Sequence, residues 1–249
     1  MPHRVHICAD GAALADQAAS EAATIIGEAI ARNGSARIVV ATGNSQLAFI
    51  GALTQRRDIE WKSVEVFHMD EYVGISPGHP SSFRCWIRTR VEDRVHPGRM
   101  HYIEGDARDI DAEIARYAAL LDAAPIDLAF VGFGENGHIA FNDPPVADFD
   151  DPATVKRVAL DDACRRQQWG EGHFPSLEAV PREALTITCP GLFRARAWVC
   201  AVPEARKAEA VRNALEGPVS TACPASLVRR HPRASVYLDK ESAALLAPE

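Results

Sequence analysis

The chain lacks the marks of several protein classes. Its six cysteines, Cys8, Cys85, Cys164, Cys189, Cys200 and Cys223, form no C-x-x-C pair and fall at irregular intervals. Neither a disulfide framework nor a zinc site is expected from them, and buried reduced thiols are the reading they support. His68, His79, His101, His138 and His173 show no H-x-x-x-H spacing, so no metal centre is expected. Lysine and arginine are dispersed and the net charge is −7, which leaves no basic stripe for nucleic acid or an anionic membrane. No apolar run reaches the length of a membrane span, and the opening "MPHRVHICADGAAL" has no long apolar core of a signal peptide. A soluble, cytoplasmic protein is the expectation. There is no internal repeat, no low-complexity tract and no linker composition, so residues 1–249 read as one domain.

What is present is an ordinary globular composition, 47% hydrophobic and 24% charged, in a chain long enough to bury a sizeable core. "AALADQAASEAATIIGEAIARNG" has helical spacing, and Asn33-Gly34 is a helix stop. "ARIVVATGNS", "VEVFHMDEYVG" and "IDLAFVGFG" begin as apolar strands and end in polar residues, with the helical "SQLAFIGALTQRR", "SSFRCWIRTRVEDRV" and "DIDAEIARYAALLDAA" between and around them. Farther on, "TVKRVAL", "EALTITCPGL" and "RAWVCAVP" read as strands and "EARKAEAVRNALEG" as a helix closed by Gly217. Apolar strands alternating with helices predict an α/β fold, a Rossmann-like three-layer α/β/α sandwich with a mainly parallel sheet covered on both faces. The least regular stretch, 146–180, is the candidate lid.

In such a sheet, ligands bind beyond the carboxyl ends of the strands. Thr42, Gly43, Asn44 and Ser45 form a small polar loop between a strand and a helix, where backbone N–H groups suit a phosphate. It has neither a P-loop lysine nor a G-x-G-x-x-G pattern, so nucleotides are not favoured, and an ordinary strand-to-helix turn stays open. Asp70 and Glu71 follow an apolar run, so at least one carboxylate lies at a strand end, as a base or as a cap. In "GFGENGHIAFNDPP" the glycines Gly132, Gly134 and Gly137 let the chain turn sharply. His138 and Asp143 are five residues apart there, close enough in sequence to meet, and a carboxylate on the imidazole would fix its tautomer. Lys207, in the first turn of the helix that follows the strand "AWVCAV", reads on its own as a solvated surface lysine.

Taken together, "ATGNSQ", "MDEYVG…HPSSF", "GFGENGHIAFNDP", "VPREALTIT" and "RKAEAV" resemble the glucosamine-6-phosphate deaminase/isomerase family in order and spacing, over about residues 36 to 240. The related 6-phosphogluconolactonases share the glycine loop and the G-H pair but typically lack the aspartate of "MDEY". The resemblance implies a cofactor-free isomerisation of a hexosamine 6-phosphate through an enol-type intermediate, with loss of ammonia. It implies Asp70 as the base moving a proton between C1 and C2. His138 would assist ring opening with Asp143 holding it. Lys207 would bind the phosphate together with the Thr42–Ser45 loop, including Gly43 and Asn44, and with Gly137. The family usually has Asp where Asn136 stands, which removes one negative charge near the imidazole. Its phosphate-binding lid arginine has only Arg165 and Arg166 as candidates here. The alternatives are a 6-phosphogluconolactonase, a deaminase for another amino-sugar phosphate such as galactosamine 6-phosphate, and a non-enzymatic sugar-phosphate sensor. The expected partner is a small-molecule sugar phosphate; the oligomeric state, a homo-oligomer included, is left open.

Overall fold

The computed structural model describes residues 3–170, 172 and 174–248, so His173 lies outside the described residues. In chain order the elements are β1 (His3–Ile7), α1 (Gly11–Asn33), β2 (Ala36–Val40), α2 (Leu47–Thr54), β3 (Val64–His68), β4 (Asp70–Tyr72), α3 (Phe83–Ile87), α4 (Asp93–Val95), β5 (Arg99–Met100), α5 (Ile110–Asp122) and β6 (Leu128–Val131). Then follow β7 (Val155–Ala159), α6 (Asp162–Gly170), β8 (Glu183–Ile187), α7 (Cys189–Phe193), β9 (Trp198–Val202), α8 (Ala208–Glu216) and β10 (Ala234–Leu238). The helix ends obey the local chemistry. Asp10 accepts the Ala13 N–H at the start of α1, and Gly34, in the left-handed region at φ 78°, closes it by donating to the Ile30 carbonyl. Asp109 caps α5 in the same way through Ala112.

Seven strands form one sheet in the order β1-β10-β9-β6-β2-β3-β5, and each described pair is parallel. Successive side chains along a strand point to opposite faces. Val39, Ala129, Val131 and Trp198 enter one core with α5, α7 and α8, while Ile38, Val40, Phe130 and Val199 enter a second with α1 and α2. Both faces being covered is why these strands read as apolar throughout. The architecture is the expected three-layer α/β/α sandwich.

The small sheet differs from the sequence reading. β7 and β8, read as continuing the parallel rhythm, instead pair antiparallel with each other, and β4 joins β8 to give a separate three-stranded sheet. It has its own core, in which Tyr72, Phe83, Phe141 and Phe174 pack ring against ring beside Val158, Leu160 and Cys164. β8 is buried and apolar like the parallel strands, while β7 buries Val155 and Val158 and exposes Arg157; strands this short do not show in their pattern which way their partner runs. The chain crosses between the sheets in one step: β3 ends at His68, Met69 intervenes, and β4 begins at Asp70. Residues 146–180 supply β7 and α6 to this smaller unit. No described helix is long and apolar enough to cross a membrane.

Candidate active site

Because β9, β6, β2 and β3 are parallel neighbours, their carboxyl ends lie along one edge of the large sheet. The loops that leave them converge on a single cavity. Thr42, Gly43, Asn44 and Ser45 come from the end of β2, Asp70 from beyond β3, Gly132, Gly134 and His138 from beyond β6, and Lys207 from beyond β9. The three strand ends singled out in the sequence, and Lys207 with them, are thus brought together.

Of the two acids in "MDEY", the register decides the roles. Asp70 faces the cavity and is 7% exposed. Burial, reinforced by the Glu71 and Asp143 carboxylates, pushes its carboxyl well above the usual range. Glu71 points the other way and is fully buried. It accepts from the Ser82 hydroxyl at 2.7 Å and from the backbone N–H groups of Tyr72, Phe83 and Arg84 at 3.0, 3.1 and 2.9 Å. It therefore anchors the start of α3, whose Phe83 forms part of the cavity wall.

The glycine loop folds the imidazole back on itself. A Cβ on Gly134 would stand 2.3 Å from the His138 ring, so only glycine permits this approach. Gly137 adopts φ 82°, and a Cβ there would strike the Cys223 sulfur at 2.5 Å. Its N–H donates to the Gly134 carbonyl at 3.0 Å, so Gly137 shapes the turn and does not line the cavity. His138 Nδ1 lies 3.1 Å from Asp143 Oδ1, a close electrostatic contact whose alignment falls short of a full hydrogen bond. Asn136 sits behind the pair. Its Nδ2 donates to Asp143 Oδ1 at 2.8 Å, and its Oδ1 accepts the His138 N–H at 3.0 Å. Its side chain thus grips both the Asp143 carboxylate and the backbone of His138. Burial alone would raise the Asp143 carboxyl. The imidazole of His138, the Asn136 amide and the Cys164 thiol on α6 reverse that and hold it below the ordinary value.

Lys207 ends the turn before α8, is 4% exposed and faces the cavity. Arg206 lines the cavity beside it and pairs with Glu135 at 3.0 Å. The sequence reading passed over Arg206 although it adjoins Lys207. Arg165, expected at the phosphate, is placed elsewhere: its guanidinium bonds the Leu177 and Val180 carbonyls, and it does not line the cavity. Arg166 is exposed and lies 3.7 Å from Asp162. α6 instead presents Gln167 and Gln168 to the cavity, with Gln168 accepting from the Tyr72 hydroxyl at 2.6 Å. The phase of α6 is set by the return of residues 177–180 against Arg165, which no local pattern reveals.

A desolvated carboxylate, a carboxylate-backed imidazole and a lysine around one cavity suit an α/β enzyme that moves protons. The chain belongs to the glucosamine-6-phosphate isomerase/6-phosphogluconolactonase family, whose model matches residues 9–237. It is 35% identical over 212 residues to a glucosamine-6-phosphate deaminase of Exiguobacterium sibiricum, covering 85% of this chain and 82% of the relative. A glucosamine-6-phosphate deaminase of Arthrobacter sp. (strain FB24) is 35% identical over 232 residues, 90% of this chain and 87% of that one. Among solved structures, a monomeric glucosamine-6-phosphate deaminase superposes with a TM-score of 0.89 at 29% identity, over 98% of this chain and all of that one. A 6-phosphogluconolactonase from Thermotoga maritima shares the fold, with a TM-score of 0.77 at 18% identity over 96% of this chain and all of that one.

Proposed function

We propose that the protein converts glucosamine 6-phosphate and water to fructose 6-phosphate and ammonia. The observation that carries this is Asp70 facing the same cavity as His138, a second acid–base group that lactone hydrolysis alone would not need. In this reading His138, held by Asp143, moves a proton at the ring oxygen as the sugar opens to the C1 aldehyde. That carbonyl acidifies the C2 proton. Asp70 removes it while the C1 oxygen takes a proton from the substrate's ammonium group, giving an enolamine; Asp70 then delivers its proton to C1, leaving an iminium at C2. Water adds at C2 and the C–N bond breaks, releasing ammonia. A carboxyl whose pKa is raised by burial is a stronger base when ionised, so the same desolvation that opposes its charge favours proton abstraction.

Lys207 and the Thr42–Ser45 loop hold the phosphate, so that binding at the remote end fixes the open chain for reaction. Residues 146–180 act as the lid of one catalytic domain, and the setting is the cytoplasm. Ammonia measured from purified protein with glucosamine 6-phosphate, beside hydrolysis of 6-phosphogluconolactone, tests the reading. Ammonia from the amino sugar and little lactone turnover is the expected result; lactone turnover without ammonia overturns it.

A further inference from the structure

His68 is the last residue of β3, is wholly buried, and takes no part in the proton transfers described above. Both its ring nitrogens are spoken for. The Ile103 N–H donates to Nε2 at 2.9 Å, and Nδ1 lies 2.9 Å from the carbonyl oxygen of Asp70. An amide nitrogen can only donate and a carbonyl can only accept, so the ring is the neutral Nδ1–H tautomer. Burial supports this, drawing the imidazole down to about 3. The Tyr117 hydroxyl fixes the residue itself, accepting from the His68 N–H at 2.9 Å and donating to the His68 carbonyl at 2.8 Å.

The bond to Asp70 spans the point where the chain changes sheets. On the other side of the Asp70 Cα, the Met69 carbonyl accepts the Ile187 N–H at 2.8 Å. The carbonyls before and after that Cα are thus pinned separately, one from the small sheet and one by His68. Two fixed peptide planes leave the Asp70 backbone little freedom, and its carboxylate is aimed at the cavity.

We infer that His68 is a positioning residue for Asp70, its Nδ1–H holding the Asp70 carbonyl so that the sheet crossing presents the carboxylate to the substrate carbon. This deepens the proposed function and, in its kinetic arm, rests on it. The two ring nitrogens can be separated by amide substitutions. In His68→Asn the side-chain amide replaces Nδ1 and keeps a donor for Asp70 while losing the Ile103 contact. In His68→Gln the amide replaces Nε2 and keeps an acceptor for Ile103 while losing Asp70. Each variant forfeits one buried bond, so a purely structural histidine predicts similar damage from both.

The test compares the two variants with wild type, at equal folded concentration by circular dichroism. The readouts are solvent deuterium exchange at C2 and the titration of the Asp70 carboxyl by ¹³C NMR. The expected result is exchange turnover reduced ~10- to 100-fold in His68→Gln, with KM within about threefold, and turnover within about threefold of wild type in His68→Asn. The Asp70 titration should move toward the ordinary range in His68→Gln only. Equal losses in both variants, or none in either, overturn the inference. The NMR arm needs no substrate, so a wild type inactive on glucosamine 6-phosphate would sink the function and leave His68 still decided by Asp70.

Discussion

Two carboxylates serve this site and are held in opposite ways. Asp70, at the crossing between the two sheets, has burial and two like charges against its ionisation. Asp143, in the glycine loop, is buried as well, but an imidazole and an amide more than offset that. Desolvation that is not balanced makes a base; desolvation balanced by partners makes a fixed anion that orients its neighbour. The two residues are of one type and serve one site, and their surroundings assign the roles.

Removing each carboxylate is the most direct way to break the comparison. Asp70→Asn should lower C2 proton exchange by ~10²–10⁴-fold, with phosphate binding nearly unchanged, as read by deuterium wash-in. Its effect on stability should have the opposite sign. A raised folded-state pKa means the folded protein binds more protons than the unfolded chain above the ordinary carboxyl pKa. The contribution of Asp70 is therefore lost as pH rises through its raised value, and Asp70→Asn should become increasingly stabilising there. Asp143 is depressed, so its contribution is present above the unfolded pKa and lost as pH falls through the folded one. Asp143→Asn should cost about 1–3 kcal/mol at neutral pH by leaving its partners unsatisfied, and less in acid. In thermal melts Asp70→Asn should gain on wild type as pH rises above the ordinary carboxyl range, whereas Asp143→Asn should close its deficit only as pH falls below that range; the same window for both variants would refute the contrast.

Lys207→Ala should raise KM for the phosphorylated sugar roughly ten- to a hundredfold, the loss of a charge-assisted contact of about 1.5–3 kcal/mol. An equal change for the unphosphorylated sugar would remove Lys207 from the phosphate. Asn136→Asp sharpens the comparison from the other side. It sets a carboxylate where an amide now donates to Asp143, making the loop acid resemble Asp70 in its surroundings. The acidic limb of the pH–rate profile should move upward, and an unmoved limb would disconnect residue 136 from the pair. The smallest effect belongs to Arg165→Ala, which should leave KM within about twofold while lowering the melting temperature, because its bonds are to the Leu177 and Val180 carbonyls.

How much of this the sequence revealed depended on whether the determinant was local. His138 and Asp143 were legible because one short loop carries both, and the glycines beside them announced a tight turn. The parallel sheet was legible from the alternation of apolar strands with helices. The local pattern did not separate Asp70 from Glu71, and only the family resemblance singled out Asp70, since the choice between them lies in a register against Thr186 and Leu185, far along the chain. The small sheet and the phase of α6 escaped for the same reason. Gln168 and Arg165 lie three residues apart on α6, and only distant packing decides which of them meets the cavity.

That same pairing of β4 with β8 bears on how the protein comes into being. Asp70 is set opposite Thr186, more than a hundred residues later, while β2 and β3 meet across a much shorter stretch of chain. Contacts between distant segments carry the greater loop-closure cost and tend to form late. During refolding from denaturant, helix signal should return first and competence for C2 exchange last. Asp70 is therefore fixed only once a strand far along the chain has docked, a step shared with the still longer closure that sets His3 of β1 opposite Ala234 of β10.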